Sequence, residues 1–185
     1  SAEKARKKYN LDDKPVLVII GGSQGAAAVN NAIQDILDSL TQKYNIIHLC
    51  GEGKVNKELL NIKSYIQIEY LKDELADVFA LADMIISRAG SNSIEELHAL
   101  EKPMLLIPLP RTSVSRGDQI QNAKNYEQKG LAHVLLQEDI SKETLINAID
   151  KLYIERETLI KNLKNNPAKQ GRELVIEIID QNVAK

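Results

Sequence analysis

The 185-residue sequence has no tryptophan, one phenylalanine and one cysteine, and aromatics make up only 4% of it. A lone Cys50 cannot close an intrachain disulfide, which excludes a small secreted scaffold held by cross-links and makes a cytoplasmic setting the expectation. Three histidines without metal-ligand spacing to that cysteine give no structural zinc site. Charge of one sign is also missing. Lys and Arg number 24 against 26 Asp and Glu, so no basic surplus exists to hold nucleic acid or an anionic membrane. No apolar run approaches the roughly 20 residues that span a bilayer, and Ser1 to Lys8 is polar, unlike a signal peptide. What is present is 43% apolar residues in a chain of single-domain length, enough for one core.

Those apolar residues fall in a repeating order. Val16 to Ile20 is a continuous β-branched run, the pattern of a parallel strand covered on both faces. A glycine turn follows, and then Ala26 to Leu40 carries Val29, Ile33, Ile36, Leu37 and Leu40 on one helical stripe. Further strands are expected at Asn45 to Leu49, Tyr65 to Glu69, Met84 to Ile86, Met104 to Ile107 and Ala132 to Leu136. Helices are expected at Lys54 to Leu60, Asp73 to Leu81, Ser91 to Leu100, Asp118 to Lys129, Ser141 to Tyr153, Glu155 to Asn165 and Ala168 to Asp180. Six strands alternating with helices imply right-handed crossovers and an α/β fold with a doubly wound, Rossmann-like parallel sheet.

In such a sheet the ligand lies outside the carboxyl ends of the strands, so the turns after each strand carry the chemistry. Gly21-Gly22-Ser23-Gln24-Gly25 leads from a strand into a helix, where bare backbone and free N–H groups suit an oxyanion; equally, it could be only a tight packing turn. It lacks both the G-x-G-x-x-G spacing and a Walker lysine. Ser87-Arg88-Ala89-Gly90-Ser91-Asn92-Ser93 offers a second phosphate cradle, with Glu96 one turn inside the helix placed to accept ribose hydroxyls. The Ser93 to Glu96 spacing also fits a capping box, and Asn92 fits a cap, without any ligand. The third turn, Pro108 to Gly117, is long for a connection and feeds into Asp118 and Gln119, side chains suited to sugar hydroxyls or to plain capping. Arg111 and Arg116 suit either contact with a diphosphate or a solvated surface role. His48, His98 and His133 read as packed or surface residues, and Cys50 has no histidine partner that would make it a nucleophile.

Together, Gly21-Gly22-Ser23-Gln24-Gly25-Ala26 after a strand, Ser87-Arg88-Ala89-Gly90 before a helix bearing Glu96, and Asp118-Gln119 with Asn122-Ala123 resemble the MurG family of membrane-associated N-acetylglucosaminyltransferases of peptidoglycan synthesis. The likeness runs from Pro15 to the end. It implies the C-terminal donor half (residues 15–185) of a two-domain GT-B enzyme, preceded by a linking segment (1–14), with the N-terminal acceptor domain outside this chain. The implied reaction is inverting transfer from UDP-N-acetylglucosamine to lipid I, giving lipid II, at the cytoplasmic face of the membrane, with no cofactor or metal and no nucleic-acid partner. The resemblance implies that Gly22, Ser23 and Gln24 lie beside the diphosphate and that Gly90, Ser91 and Asn92 present amides to phosphate. It likewise gives the ribose to Glu96, the uracil to the backbone at Leu71, and the sugar hydroxyls to Asp118 and Gln119. It places the catalytic base in the acceptor domain, so this half is expected to bind without turnover. Two rival readings are another GT-B donor domain, of a diacylglycerol glycosyltransferase or a UDP-sugar epimerase, and a non-catalytic nucleotide-binding module.

Overall fold

The computed structural model describes residues 2–22, 26–71, 74–111 and 117–168. Among them are six strands: β1 Val16–Ile20, β2 Asn45–Leu49, β3 Tyr65–Ile68, β4 Met84–Ser87, β5 Met104–Leu106 and β6 His133–Val134. All pair in parallel, in the order β3-β2-β1-β4-β5-β6. The helices are α1 Ala2–Lys8, α2 Ala26–Gln34, α3 Leu37–Lys43, α4 Leu75–Leu81, α5 Ser91–Ala99, α6 Asp118–Gln128 and α7 Lys142–Asn165.

The unalternating apolar run of β1 is explained by two cores, one on each face. Val16 and Val18 pack with Val78, Phe79, Ile94 and Leu97 on the side of α1, α4, α5 and α6. Leu17 and Ile19 pack with Val29, Ile33, Leu40 and Leu152 on the side of α2, α3 and α7. All four β1 side chains are fully buried, and each burial contributes roughly 1.5–3 kcal/mol. The strand order reverses between β1 and β4, which both leave the sheet at the same edge. That reversal opens a crevice where their following turns part.

Several elements differ from the sequence-based expectation. The single helix over Ala26 to Leu40 is two, α2 and α3, because Ile36 leaves helical geometry (φ −122, ψ 12). The break re-aims the chain so that Ile33, Ile36, Leu37 and Leu40 all reach the core. The helix expected at Lys54 to Leu60 is only a 3₁₀ turn, Lys57–Leu59. Asn56 closes that turn by accepting the Glu58 N–H, while Gln67 on β3 binds both the Asn56 N–H and its carbonyl. The helices Ser141 to Tyr153 and Glu155 to Asn165 are one continuous α7, started by a reciprocal Ser141–Thr144 capping box. The last strand shortens to two residues. The leading segment folds as α1 against α4, with Ala5 buried and Lys8 and Tyr9 both bonded to the Glu74 carboxylate. Pro167 and Ala168 are irregular, and the rest of the helix expected from Ala168 to Asp180 lies outside the described residues.

Candidate functional site

The carboxyl ends of β1 to β4 open into a cavity of about 630 Å³. Its floor is apolar: Ile20 and Leu49 end their strands there, Leu75 and Phe79 come from α4, and Leu97 comes from α5. Polar groups stand at its rim, with Ser87 at the end of β4, Ser93 in the first turn of α5, and Glu96 one turn further on. A flat apolar ring held between α4 and α5 would leave polar substituents directed at this rim.

The Glu96 carboxyl is half-buried, and burial raises its pKa above the ordinary carboxylate range. Among the described residues no cation or hydrogen-bond donor is paired with it. Such a carboxylate is suited to accept hydrogen bonds from a ligand's hydroxyls, which would restore the solvation it has lost. The capping-box alternative is not realised. The helix begins two residues before Ser93, with Gly90 at the N-cap (φ −65, ψ 140) and, among the described residues, no side chain bonded to the first-turn amides. Ser91 and Asn92 are exposed, so the start of α5 presents unsatisfied N–H groups and the positive end of the helix dipole beside the cavity. At the opposite end of the cavity Glu52 and Glu69 are exposed, Glu69 accepting the Gly53 N–H at 3.2 Å. This polarity orients an amphipathic anion, its apolar part in the cavity and its negative part at α5, away from those carboxylates.

Of the residues expected to bind ligand, Gly22, Leu71 and Glu96 line this cavity together. Gly22 has φ +75, a left-handed conformation that favours glycine, and it crosses the crevice just above the Arg88 side chain. Ser23 and Gln24 lie outside the described residues, as does Arg116. Gly90, Ser91 and Asn92 adjoin the cavity at the head of α5 without lining it. Ser91 also opens onto a second groove on the far side of that helix. Asp118 is exposed at the start of α6, where Gly117 (φ +84) is the N-cap and no side chain caps the helix. The Gln119 carbonyl is engaged by backbone amides, and Arg111 sits against Gly117. The sequence reading missed the α4 wall. Leu75 and Phe79 fall in the helix expected over Asp73 to Leu81, and periodicity carries no signal to separate a core contact from a cavity wall.

The remaining candidates for chemistry are structural. His48 is fully buried between Tyr65 (2.9 Å to Nδ1) and Asn30 (2.8 Å to Nε2), and burial lowers its pKa to about 4. Cys50 is buried, which pushes its thiol up to about 11 and removes it as a nucleophile. His98 bonds Tyr126 and the Asn166 carbonyl, and His133 lies beside Glu155. No group of three or more His, Cys, Asp or Glu side chains among the described residues is arranged to hold a metal ion. No helix among them is long and apolar enough to cross a membrane.

Comparison with known proteins bears on the family and the fold. A transferase from Clostridium novyi is 45% identical over 174 residues, covering 94% of this chain and 48% of the relative. Its name is UDP-N-acetylglucosamine--N-acetylmuramyl-(pentapeptide) pyrophosphoryl-undecaprenol N-acetylglucosamine transferase. A protein of the same name from Geobacillus thermodenitrificans is 43% identical over 186 residues, covering 100% of this chain and 52% of its own. The crystal structure of Acinetobacter baumannii MurG superposes with a TM-score of 0.72 at 25% identity, over 95% of this chain and 52% of that one. The C-terminal CMP-Kdo binding domain of WaaA from the same organism shares the fold at a TM-score of 0.58 and 13% identity, over 89% of this chain and 94% of its own. The chain thus spans about half the length of the curated relatives it matches. With residues 16–178 matching the glycosyltransferase family 28 C-terminal domain, the chain belongs to that family and has the fold of one half of a GT-B glycosyltransferase.

Proposed function

We propose that this chain is the donor-binding half of an enzyme that transfers N-acetylglucosamine from UDP-N-acetylglucosamine to lipid I, forming lipid II at the cytoplasmic face of the membrane. The observation that carries this reading is the joining of an apolar cavity, an unpaired carboxylate at Glu96 and an uncapped α5 N-terminus in one crevice. Uracil fits the apolar floor beside Leu71. The Glu96 carboxylate accepts from the ribose hydroxyls, and the diphosphate meets the N–H groups of Ser91 to Ser93, with Gly22 on its other side. Asp118 and Gln119 lie towards the sugar. Residues 1–14 lead from an acceptor domain into residues 15–185.

The chemistry follows from charge. The 4-hydroxyl of the muramoyl sugar attacks the anomeric carbon with inversion, the bond to the β-phosphate oxygen breaks, and UDP departs with the electron pair. Backbone amides fixed at a helix N-terminus stabilise that developing charge without reorganising, the electrostatic contribution this half supplies. The base that accepts the hydroxyl proton comes from the acceptor domain, so this half alone binds donor without turnover. Calorimetric titration with UDP, UDP-N-acetylglucosamine, UDP-glucose and NAD tests the reading. Binding of the uridine nucleotides but not NAD is expected, and equal or better binding of NAD would overturn it.

A further inference from the structure

Asn30 is an amide on the buried face of α2, between Val29 and Ile33 of the apolar stripe. Burial of an amide is costly unless its donor and acceptor are both bonded. Both are: Nδ2 donates to the Cys50 carbonyl at 2.9 Å, and Oδ1 accepts from His48 Nε2 at 2.8 Å. His48 is held in turn by the Tyr65 hydroxyl, 2.9 Å from Nδ1. Cys50 directly follows β2 and is fully buried, and its own N–H bonds the Ile68 carbonyl at 2.9 Å. Its backbone is therefore tied to β3 on one side and to α2 on the other. The chain then turns at Gly51 (φ +94), and Gly51 and Glu52 line the cavity. The Lys54 N–H closes that turn on the Gly51 carbonyl at 3.1 Å, and Gln67 pins the far end of the loop at Asn56.

We propose that Asn30 is a positioning residue for the nucleoside end of the cavity. From inside α2 it sets the direction in which the chain leaves β2, and so places the backbone of Gly51 and Glu52 against the bound base. The proposal rests on the UDP-sugar reading above. Without the Asn30 donor, the Cys50 carbonyl is buried with no partner, and its peptide must turn to find one. Gly51 has no side chain to resist that rotation, so the cavity wall beside the base moves with it. The amides of Ser91 to Ser93 belong to α5, across the crevice, and keep their place. The loss therefore falls on the nucleoside, which uridine and UDP share, and leaves the increment from the diphosphate intact.

The test is titration of the wild-type chain, Asn30→Asp and Asn30→Leu with uridine and with UDP, followed by backbone amide chemical shifts below each melting temperature. Asn30→Asp has the same shape and keeps an acceptor for His48, but turns an oxygen towards the Cys50 carbonyl. Asn30→Leu is close in volume and removes both bonds. Each variant is expected to weaken uridine and UDP by the same factor, roughly fivefold, with the ratio between the two ligands unchanged. In the free variants the Gly51 and Gly53 amides should shift while those of Ser91 and Asn92 stay. The aspartate variant carries the test if the leucine variant does not fold. A lower melting temperature with unchanged affinity for both ligands would overturn the proposal and leave Asn30 a purely structural residue. Loss confined to UDP would overturn it as well. Wild-type chain that binds neither uridine nor UDP would overturn the donor reading itself, whatever the variants do.

Discussion

At the scale of single residues, two groups perturbed by burial, Glu96 and His48, have opposite purposes. Glu96 keeps a carboxylate where burial disfavours its charge, so its folded-state pKa lies above its unfolded one. By linkage it favours the folded chain only at acidic pH, and that contribution is lost as pH rises through the raised pKa; at neutral pH the ionised group is a burden. Glu96→Gln should therefore raise the melting temperature at pH 7 while weakening UDP by roughly 10- to 100-fold, since a charge-assisted acceptor is lost. In the wild type UDP affinity should fall as pH drops into the range where Glu96 protonates, and the variant should lack that dependence. Lower stability with unchanged affinity would return Glu96 to a structural role. His48 shows the reverse logic. Asn30 Oδ1 can only accept, so Nε2 carries the proton and Nδ1 accepts from the Tyr65 hydroxyl, a network complete only with neutral imidazole. Its pKa falls from the ordinary 6.5 to about 4. The contribution is fully present above pH 6.5 and is lost as pH falls towards 4, by at most about 3 kcal/mol. Denaturant unfolding between pH 7 and 4.5 should show a shallower pH dependence in His48→Gln. The sequence could single out Glu96 because acidic residues near a glycine turn take ribose hydroxyls in other nucleotide folds, and the structure puts it on the cavity rim. His48 was legible only as a packed or surface residue, because its partners, Asn30 and Tyr65, come from distant positions.

At the scale of elements, the boundaries the sequence marks well are those with local chemistry. The Ser141 start of α7 is one, since its cap and the reciprocal Thr144 lie within four residues. The helix does not break near Ile154, although that residue is 76% exposed and interrupts the apolar stripe. Backbone hydrogen bonding continues through a position that packing does not need, which periodicity alone reads as an interruption. The opposite error occurred at Asp35 and Ile36, where an unbroken stripe concealed two helices. The C-terminus of α5 illustrates a cost that the sequence hides. Lys102 N–H bonds the Leu97 carbonyl at 3.0 Å and Glu101 N–H bonds that of His98 at 2.9 Å, the paired bonds of a Schellman close. This motif places Glu101 at φ +53, where glycine is favoured. The Glu101 carboxylate lies 3.8 Å from Lys164 with both side chains well exposed, a contact worth little. Glu101→Gly should therefore stabilise the fold by about 1 kcal/mol, visible as a rise of about 2–4 °C in melting temperature. A fall would mean that the Lys164 contact outweighs backbone strain.

At the scale of the whole molecule, regular alternation of strand and helix was enough to expect a parallel, doubly wound sheet. Strand order was not legible, because the placement of β1 between β2 and β4 depends on contacts far apart in sequence. That order makes the turns after β1 and β4 neighbours across the crevice, and it brings Leu71, beyond β3, onto the same cavity as Gly22 and Glu96. The same order places α4 over the cavity, supplying the apolar wall that local sequence could not distinguish from core. Since the cavity is assembled from four strand ends and two helices, it exists only in the folded chain, and a ligand that fills it must shift the unfolding equilibrium. At a concentration about a hundredfold above its dissociation constant, such a ligand adds about 2.7 kcal/mol. For a chain of this size that is roughly 5–10 °C in melting temperature. UDP should produce this shift, uridine a smaller one at equal concentration because it cannot use the start of α5, and NAD none. Thermal melts against a concentration series of each nucleotide measure it directly. A shift from uridine equal to that from UDP would mean that the uncapped α5 amides contribute nothing to binding, whereas an unmoved melt at millimolar UDP would remove this cavity as the donor site.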